Sequence, residues 1–135
     1  MAFFDDLTPH TYSPACDLDV LNVGWLDEGH AFAVGRTSRR FQEALLRLCE
    51  HPIIRHRGRH TCWFCRGRPR KVITPSHAGN GQIRVLSKKG NWYAAPTLVY
   101  HYVTQHGYRP PAEFIEAVIA PIAVGADHGW FEKPR

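Results

Sequence analysis

Two cysteines separated by two residues are the part of the sequence best suited to chemistry. Cys62 and Cys65 lie in the segment GRHTCWFCRG, residues 58–67. A Cys-x-x-Cys turn holds two thiolates at the separation that one tetrahedral zinc ion requires. The arginines on both sides of the pair favour the thiolate, which is the form of cysteine that binds metals. The motif therefore predicts half of a zinc site.

Histidines are expected to supply the other two ligands. His101 and His106 are separated by four residues, a gap within the range of histidine pairs in zinc sites. The preferred ligand set is Cys62, Cys65, His101 and His106, with His60 as the alternative ligand. The spacer of 35 residues between Cys65 and His101 is much longer than in a zinc finger. The pattern thus indicates a rearranged site that is not a finger.

The remaining two cysteines do not suggest a disulfide framework. Cys16 follows a turn-like segment, and Cys49 falls on the apolar face of a predicted helix, where it is expected to be an inert buried thiol. No secretion signal precedes them, so reduced thiols are expected. A thioredoxin-type redox motif is disfavoured because Arg68-Pro69 prevents a helix after Cys65.

The charge distribution points to an anionic partner. Residues 51–112 contain eleven Lys and Arg residues and no acid, whereas both flanking segments are acidic. Such a stretch attracts nucleic acid or another polyanion, unless the acidic N-terminal part folds over it and neutralises it. Trp63 is a candidate platform for stacking bases beside the arginines. The residues expected to contact the anion are Arg55, Arg57, Arg59, Trp63, Arg66, Arg68, Arg70 and Lys71.

Short alternating segments predict the strands that position these residues. Residues 18–25 form one candidate strand, and residues 31–34 are expected to pair with it in a hairpin. Residues 82–85 alternate like a half-buried strand, and Lys89-Gly90-Asn91 predicts the turn of a second hairpin. Residues 71–74 form another short candidate strand. Asn80-Gly81 is interpreted as a turn, and the basic segment around the cysteines as a loop.

Three helices are expected from capping signals and helical periodicity. The first begins at Thr37 or Ser38 and ends at His51-Pro52. The second runs from Pro96 to His106 and is ended by Gly107. A third is opened by Pro110-Pro111. The predicted fold is α+β, with a small antiparallel sheet and about three helices around the Cys/His metal site.

Length and composition place limits on the protein. The chain has 135 residues, 44% of them hydrophobic, 12% aromatic, and a formal net charge of +5. These values predict a single domain over residues 1–135 with its own core. The most apolar stretch is interrupted by Pro121 and is too short to span a membrane. A cytoplasmic protein that does not contact membranes is expected.

An ordered series of motifs resembles a family of small uncharacterised bacterial proteins, many of them from actinobacteria. The resemblance spans most of residues 5–119 and implies a bacterial, cytoplasmic, single-domain protein with no established activity. It also implies Glu at position 82, where this chain has Gln. The motifs are LNVGWLD (21–27), G-x-H-x-C-x-x-C (58–65), GNGQIRV (79–85), YAAP (93–96) and HYV-x-x-H-x-Y-x-PP-x-x-F (101–114).

Three functions fit these observations. The first is a zinc-stabilised module whose basic region, residues 51–112, binds nucleic acid or another polyanion. The second is a zinc-dependent hydrolase or deaminase-like enzyme with His60, Cys62 and Cys65 as ligands. Such an enzyme needs a proton-shuttling base near the metal, ordinarily a carboxylate, and residues 51–112 contain no carboxylate. The base would therefore come from the N-terminal part, such as Asp27 or Glu28, or be a histidine such as His106. The third is a regulatory or immunity-type protein whose basic face binds an acidic protein.

Overall fold

The fold is known from a computed structural model. It describes residues 3–10, 20–27, 29–65 and 78–120, with the backbone alone for residues 54–61, 63 and 78–80. Among these residues no helix has the length and apolar character needed to cross a membrane. The predicted strand at 71–74, Cys16 and the basic residues Arg66, Arg68, Arg70 and Lys71 lie outside the described residues.

The architecture is α+β, as predicted, with three helices and one small sheet. The elements in chain order are β1 (Val20–Asn22), α1 (Arg39–Glu50), β2 (Ile54–Thr61), a 3-10 turn (Trp63–Cys65), β3 (Ala78–Leu86), β4 (Trp92–Pro96), α2 (Val99–His106) and α3 (Ala112–Ile119). The strand order in the sheet is β1-β4-β3-β2.

The sheet is mixed, whereas the sequence predicted an antiparallel one. β2–β3 and β3–β4 are antiparallel, but β1 pairs in parallel with β4, and Val20 lies opposite Trp92. The predicted hairpin between residues 18–25 and 31–34 is therefore wrong. The segment 31–34 contributes only an isolated bridge from Val34 to Tyr108. Residues 4–10 lie along β1 instead, with the Leu7 amide donating to the Asn22 carbonyl oxygen at 2.7 Å.

The turn predicted at Asn80-Gly81 is also wrong, because both residues belong to β3. Arg55 pairs with Gly81 and His60 pairs with Gly79. The register therefore advances five residues along β2 but only two along β3, so β2 contains a bulge. Glycine in a strand commonly accompanies such a bulge. The basic segment before Cys62, predicted as a loop, is thus an irregular edge strand.

The boundaries of the three helices lie close to the positions that the sequence predicts. Ser38 caps α1, its Oγ accepting from the Phe41 amide. Pro111 precedes α3. Gly107 ends α2 with φ of +70°, a conformation that glycine adopts without strain. The start of α2 differs, since Pro96 completes β4 and the helix begins at Val99.

One apolar core lies between the helices and the sheet. α1 packs against α2 and α3, and both α1 and α3 contact β3. Cys49 is buried in α1, and burial raises the pKa of its thiol to about 12, consistent with the predicted interior thiol. Cys62 belongs to the same core. The core therefore reaches the cysteine motif, and its largest buried side chains include Trp25, Phe41, Leu45, Ile83, Tyr93, Tyr102, Tyr108 and Phe114.

Candidate metal centre

The two cysteines lie in a tight turn that follows the edge strand β2. Cys62 comes directly after β2, and Cys65 ends the 3-10 turn. The Cys65 amide donates to the Cys62 carbonyl oxygen at 3.2 Å. This hydrogen bond closes the turn and leaves both sulfur atoms on the side of α2, as their distances to the α2 histidines show.

Two histidines of α2 complete the cluster. Positions five apart on an ideal helix differ by about 140° around the axis, so His101 and His106 do not share a face by periodicity alone. His106 is the last residue of α2, immediately before Gly107, where the chain leaves the helix. Its ring centroid lies 5.0 Å from that of His101, with the ring planes at 73°.

The four side chains present sulfur and nitrogen atoms at short distances from one another. Cys62 Sγ lies 3.4 Å from His106 Nε2, and Cys65 Sγ lies 3.3 Å from His101 Nε2 and 3.4 Å from His106 Nε2. All four ligand atoms lie within 4.8 Å of one another. In a tetrahedral zinc site the bond lengths to sulfur and nitrogen place these atoms about 3.6 Å apart. The Cys2His2 group therefore could hold a metal ion with little rearrangement.

The aromatic ring of Phe64 packs against His106 of the cluster and against Tyr102. The Phe64 ring lies 5.3 Å from the His106 ring and 5.8 Å from the Tyr102 ring. Cys62 is 3% exposed and His101 is 5% exposed, whereas His106 is partly exposed. The ligands thus lie at the edge of the core, with one histidine near the surface.

Burial opposes the thiolate that a metal site needs. Burial, and to a smaller extent the neighbouring Cys65, raise the pKa of the Cys62 thiol to about 12. Among the described residues, desolvation is the largest effect on the Cys62 pKa, and the predicted influence of the flanking arginines stays a prediction because their side chains lie outside the described part of the structure. A bound cation reverses this balance, because it pairs with the thiolate directly.

The Tyr102 hydroxyl is a second polar group near the cysteines. The side chain is fully buried, and its hydroxyl has no hydrogen-bond partner among the residues that the structure describes. Burial raises the pKa of Tyr102 above its ordinary value, with further increases from the charges of Cys62, Asp27 and Cys65. No sequence signal marks this hydroxyl, since a tyrosine in the apolar stripe of a helix resembles any other core residue.

The other candidate residues are placed only in part. His60, the alternative ligand, lies in β2 opposite Gly79, and its side chain is not described. The backbone positions of Arg55, Arg57 and Arg59 follow one another along β2, and Trp63 begins the 3-10 turn. The structure therefore brings together Cys62, Cys65, His101 and His106 and leaves the predicted anion-binding side chains without a described arrangement.

Comparison with known families assigns the chain to a group without an established activity. A family profile described as "Domain of unknown function (DUF7919)" matches residues 2–119. Because this match covers most of the sequence, the chain belongs to that family. No curated protein and no solved structure matches it. The resemblance to an uncharacterised family is thereby confirmed, and any function has to be argued from the site.

Proposed function

We propose that this member of the DUF7919 family binds one zinc ion through Cys62, Cys65, His101 and His106, and that the ion is structural. The observation that carries the proposal is the convergence of four ligand atoms within 4.8 Å. They come from two separate segments, the turn after β2 and helix α2. A bound ion ties the edge of the sheet to that helix.

Zinc fits the ligand chemistry better than other common metals. Two thiolates and two imidazoles in a tetrahedral arrangement are typical of zinc. When bound, the ion holds both sulfur atoms as thiolates in a site whose burial otherwise disfavours the charged form. His101 and His106 each have Nε2 at the cluster, which leaves Nδ1 of each ring for outer hydrogen bonds that orient it.

A structural role is favoured over the enzyme alternative. Four protein ligands complete a tetrahedral shell, whereas a catalytic zinc keeps one position for water or substrate. Asp27, a carboxylate that the enzyme alternative would use, already has other partners. Its Oδ1 accepts from the Gly29 amide at 3.0 Å and lies 2.6 Å from His30 Nδ1. These contacts oppose a role as a freely moving proton carrier.

The proposal is tested by measuring metal per chain on protein purified without a histidine tag. Elemental mass spectrometry is expected to find about one zinc per chain. Cys65→Ala is expected to abolish stoichiometric zinc. Cys49→Ala is the matched control, since it removes a buried thiol of α1 that lies outside the cluster. Metal-free wild-type protein, or full zinc content in Cys65→Ala, would overturn the proposal.

Cobalt substitution gives a second readout that reports the ligands themselves. Co²⁺ at a site with two thiolates and two imidazoles is expected to show tetrahedral visible absorption and a sulfur-to-metal charge-transfer band. His101→Ala and His106→Ala should change the visible spectrum, while the charge-transfer band persists. An unchanged spectrum in His106→Ala would exclude that residue as a ligand and favour His60.

A second proposed function concerns the basic edge of the sheet. We infer that β2 and the residues that follow it bind nucleic acid or a similar polyanion. The supporting observation is position: β2 is an edge strand with a bulge between Arg55 and His60, and residues 51–112 contain no acid. Binding through phosphates weakens with salt because it releases counterions.

The salt dependence of binding tests this inference. Binding of a fluorescent single-stranded oligonucleotide is expected to weaken steeply as salt rises. The double variant Arg57→Gln/Arg59→Gln should bind more weakly and show a shallower slope. Arg39→Gln is the control, since Arg39 is exposed on α1 and pairs with Glu43. Equal binding by all variants would overturn the inference, and capture of an acidic protein that survives nuclease treatment would favour the protein-partner alternative.

A further inference from the structure

A cavity at the opposite end of β4 from the α2 histidines is independent of the metal centre. Its volume is about 420 Å³, and it lies between the turn that joins β3 to β4 and helix α3. This size is typical of pockets for small molecules. None of the four cluster residues lines it.

The cavity carries charges of both signs on different elements. Lys88 and Lys89 come from the turn, and Glu113 and Glu116 come from α3. Among the described residues, no ion pair joins Lys88 or Lys89 to Glu113 or Glu116 across the cavity. Opposite charges that face a common space without pairing can each attract a ligand group of the other sign.

The Glu113 carboxylate is held in place from within the protein. The Tyr93 hydroxyl donates to Glu113 Oε2 at 2.7 Å, and Tyr93 itself is 1% exposed. Burial and the bond to Glu113 raise the pKa of Tyr93, so the hydroxyl stays a donor. One carboxylate oxygen is thus fixed, and among the described residues the other has no hydrogen-bond partner.

The turn that carries the lysines is also well ordered by hydrogen bonds. The Ser87 amide donates to the Asn91 carbonyl oxygen at 2.9 Å, and the Asn91 amide donates to Ser87 Oγ at 3.1 Å. Gly90 has φ of +91°, which the turn requires and glycine supplies. The lysines of the cavity therefore belong to a hydrogen-bonded turn, and its glutamates belong to helix α3.

We propose that this cavity binds a small zwitterion, namely an amino acid or a dipeptide. The ligand ammonium group pairs with Glu113 and Glu116, and its carboxylate pairs with Lys88 and Lys89. An apolar ligand side chain packs on the part of the cavity formed by Ala117, Ile119 and Ala120. A ligand of a single charge would satisfy one wall and be repelled by the other, so selectivity for zwitterions follows from the two-sign lining.

The test is a titration of the zinc-loaded protein with glycyl-leucine, followed by amide NMR. Saturable shifts are expected in residues 87–93 and 113–120. N-acetyl-glycyl-leucine and glycyl-leucinamide each lack one charge and should bind at least about tenfold more weakly. Shifts confined to residues 62–65 and 101–106 would mean that the peptide contacts the metal centre, and would overturn the proposal.

Variants separate specific binding from weak attraction to the surface. Glu113→Gln and Lys88→Met/Lys89→Met are each expected to weaken binding about tenfold or more. Glu50→Gln, a substitution of an exposed residue of α1 outside the cavity, should leave binding unchanged. Equal affinity for the free and blocked peptides, or unchanged affinity in Glu113→Gln, would overturn the proposal.

Discussion

The buried hydroxyl groups of Tyr102 and Tyr108 differ in their hydrogen bonding. Both side chains are fully buried. The Tyr108 hydroxyl donates to Asp6 Oδ2 at 2.7 Å, whereas the Tyr102 hydroxyl has no hydrogen-bond partner in the described part of the chain. A buried polar group without a partner lowers the free energy of unfolding, whereas a buried hydrogen bond to a carboxylate raises it.

Replacing each tyrosine by phenylalanine is therefore expected to change stability in opposite directions. Tyr108→Phe should lower the free energy of unfolding by about 1.5–3 kcal/mol, since it removes a hydrogen bond to a charged group. Tyr102→Phe should leave it unchanged or raise it by about 1 kcal/mol. Urea unfolding of both variants at equal zinc loading measures the difference. A loss in Tyr102→Phe as large as in Tyr108→Phe would show that the Tyr102 hydroxyl has a partner.

The raised pKa of Tyr108 also predicts how the stability of the protein changes at alkaline pH. Burial and the charge of Asp6 raise the pKa of Tyr108 above its ordinary value of 10.0. The folded state then keeps a proton that the unfolded state releases, so stability is fully present below pH 10.0 and declines above it. Above that pH the free energy of unfolding should fall by about 1.4 kcal/mol per unit more in wild type than in Tyr108→Phe. Parallel pH profiles from urea unfolding of the two proteins would contradict the assignment.

At the scale of elements, Gly24 sets the distance between the end of β1 and the start of α2. Its φ is +80°, and a Cβ there would lie 2.7 Å from Val99 Cγ2. Val99 is the first residue of α2 and is fully buried. The close approach therefore fixes where α2 begins, two residues before His101.

Gly24→Ala is expected to destabilise the protein by about 1–3 kcal/mol, because it adds backbone strain and a steric clash with Val99. Gly29→Ala is the control, since the nearest atom to its Cβ would be Asp27 Oδ1 at 3.7 Å. Thermal unfolding of both variants compares them. Equal melting temperatures would mean that α2 shifts without cost.

The elements also show what the sequence could predict. Ser38, the apolar spacing of α1 and the Lys89-Gly90-Asn91 turn act within a few residues, and the helix and the hairpin appear where expected. The pairing of β1 with β4 and the bulge opposite Gly79–Gly81 depend on contacts between distant segments, and local propensity does not contain them. Ligand spacing predicts the four cluster residues, whereas the Tyr93–Glu113 hydrogen bond joins two elements and has no spacing signature in the sequence.

At the scale of the whole molecule, a structural ion makes stability depend on free metal. An ion that binds the folded chain and not the unfolded one adds about 1.4 kcal/mol for each tenfold rise in free zinc above its Kd. The melting temperature of wild-type protein should therefore rise with buffered zinc, while that of Cys65→Ala stays flat. Differential scanning calorimetry in zinc-buffered solutions makes the comparison. A wild-type curve independent of zinc would contradict a structural ion.

The parallel pair of β1 and β4 makes the order of assembly differ from the order of synthesis. Val20 pairs with Trp92, so β1 leaves the ribosome long before its neighbour in the sheet exists. Contacts between segments so far apart in the chain form slowly. The nascent N-terminal part, whose strand β1 still lacks its β4 neighbour, is therefore exposed to chaperones and proteases until β4 has left the ribosome. A ribosome stalled before residue 92 should hold a protease-sensitive chain, and one that carries the whole chain beyond the exit tunnel on a C-terminal linker a resistant one.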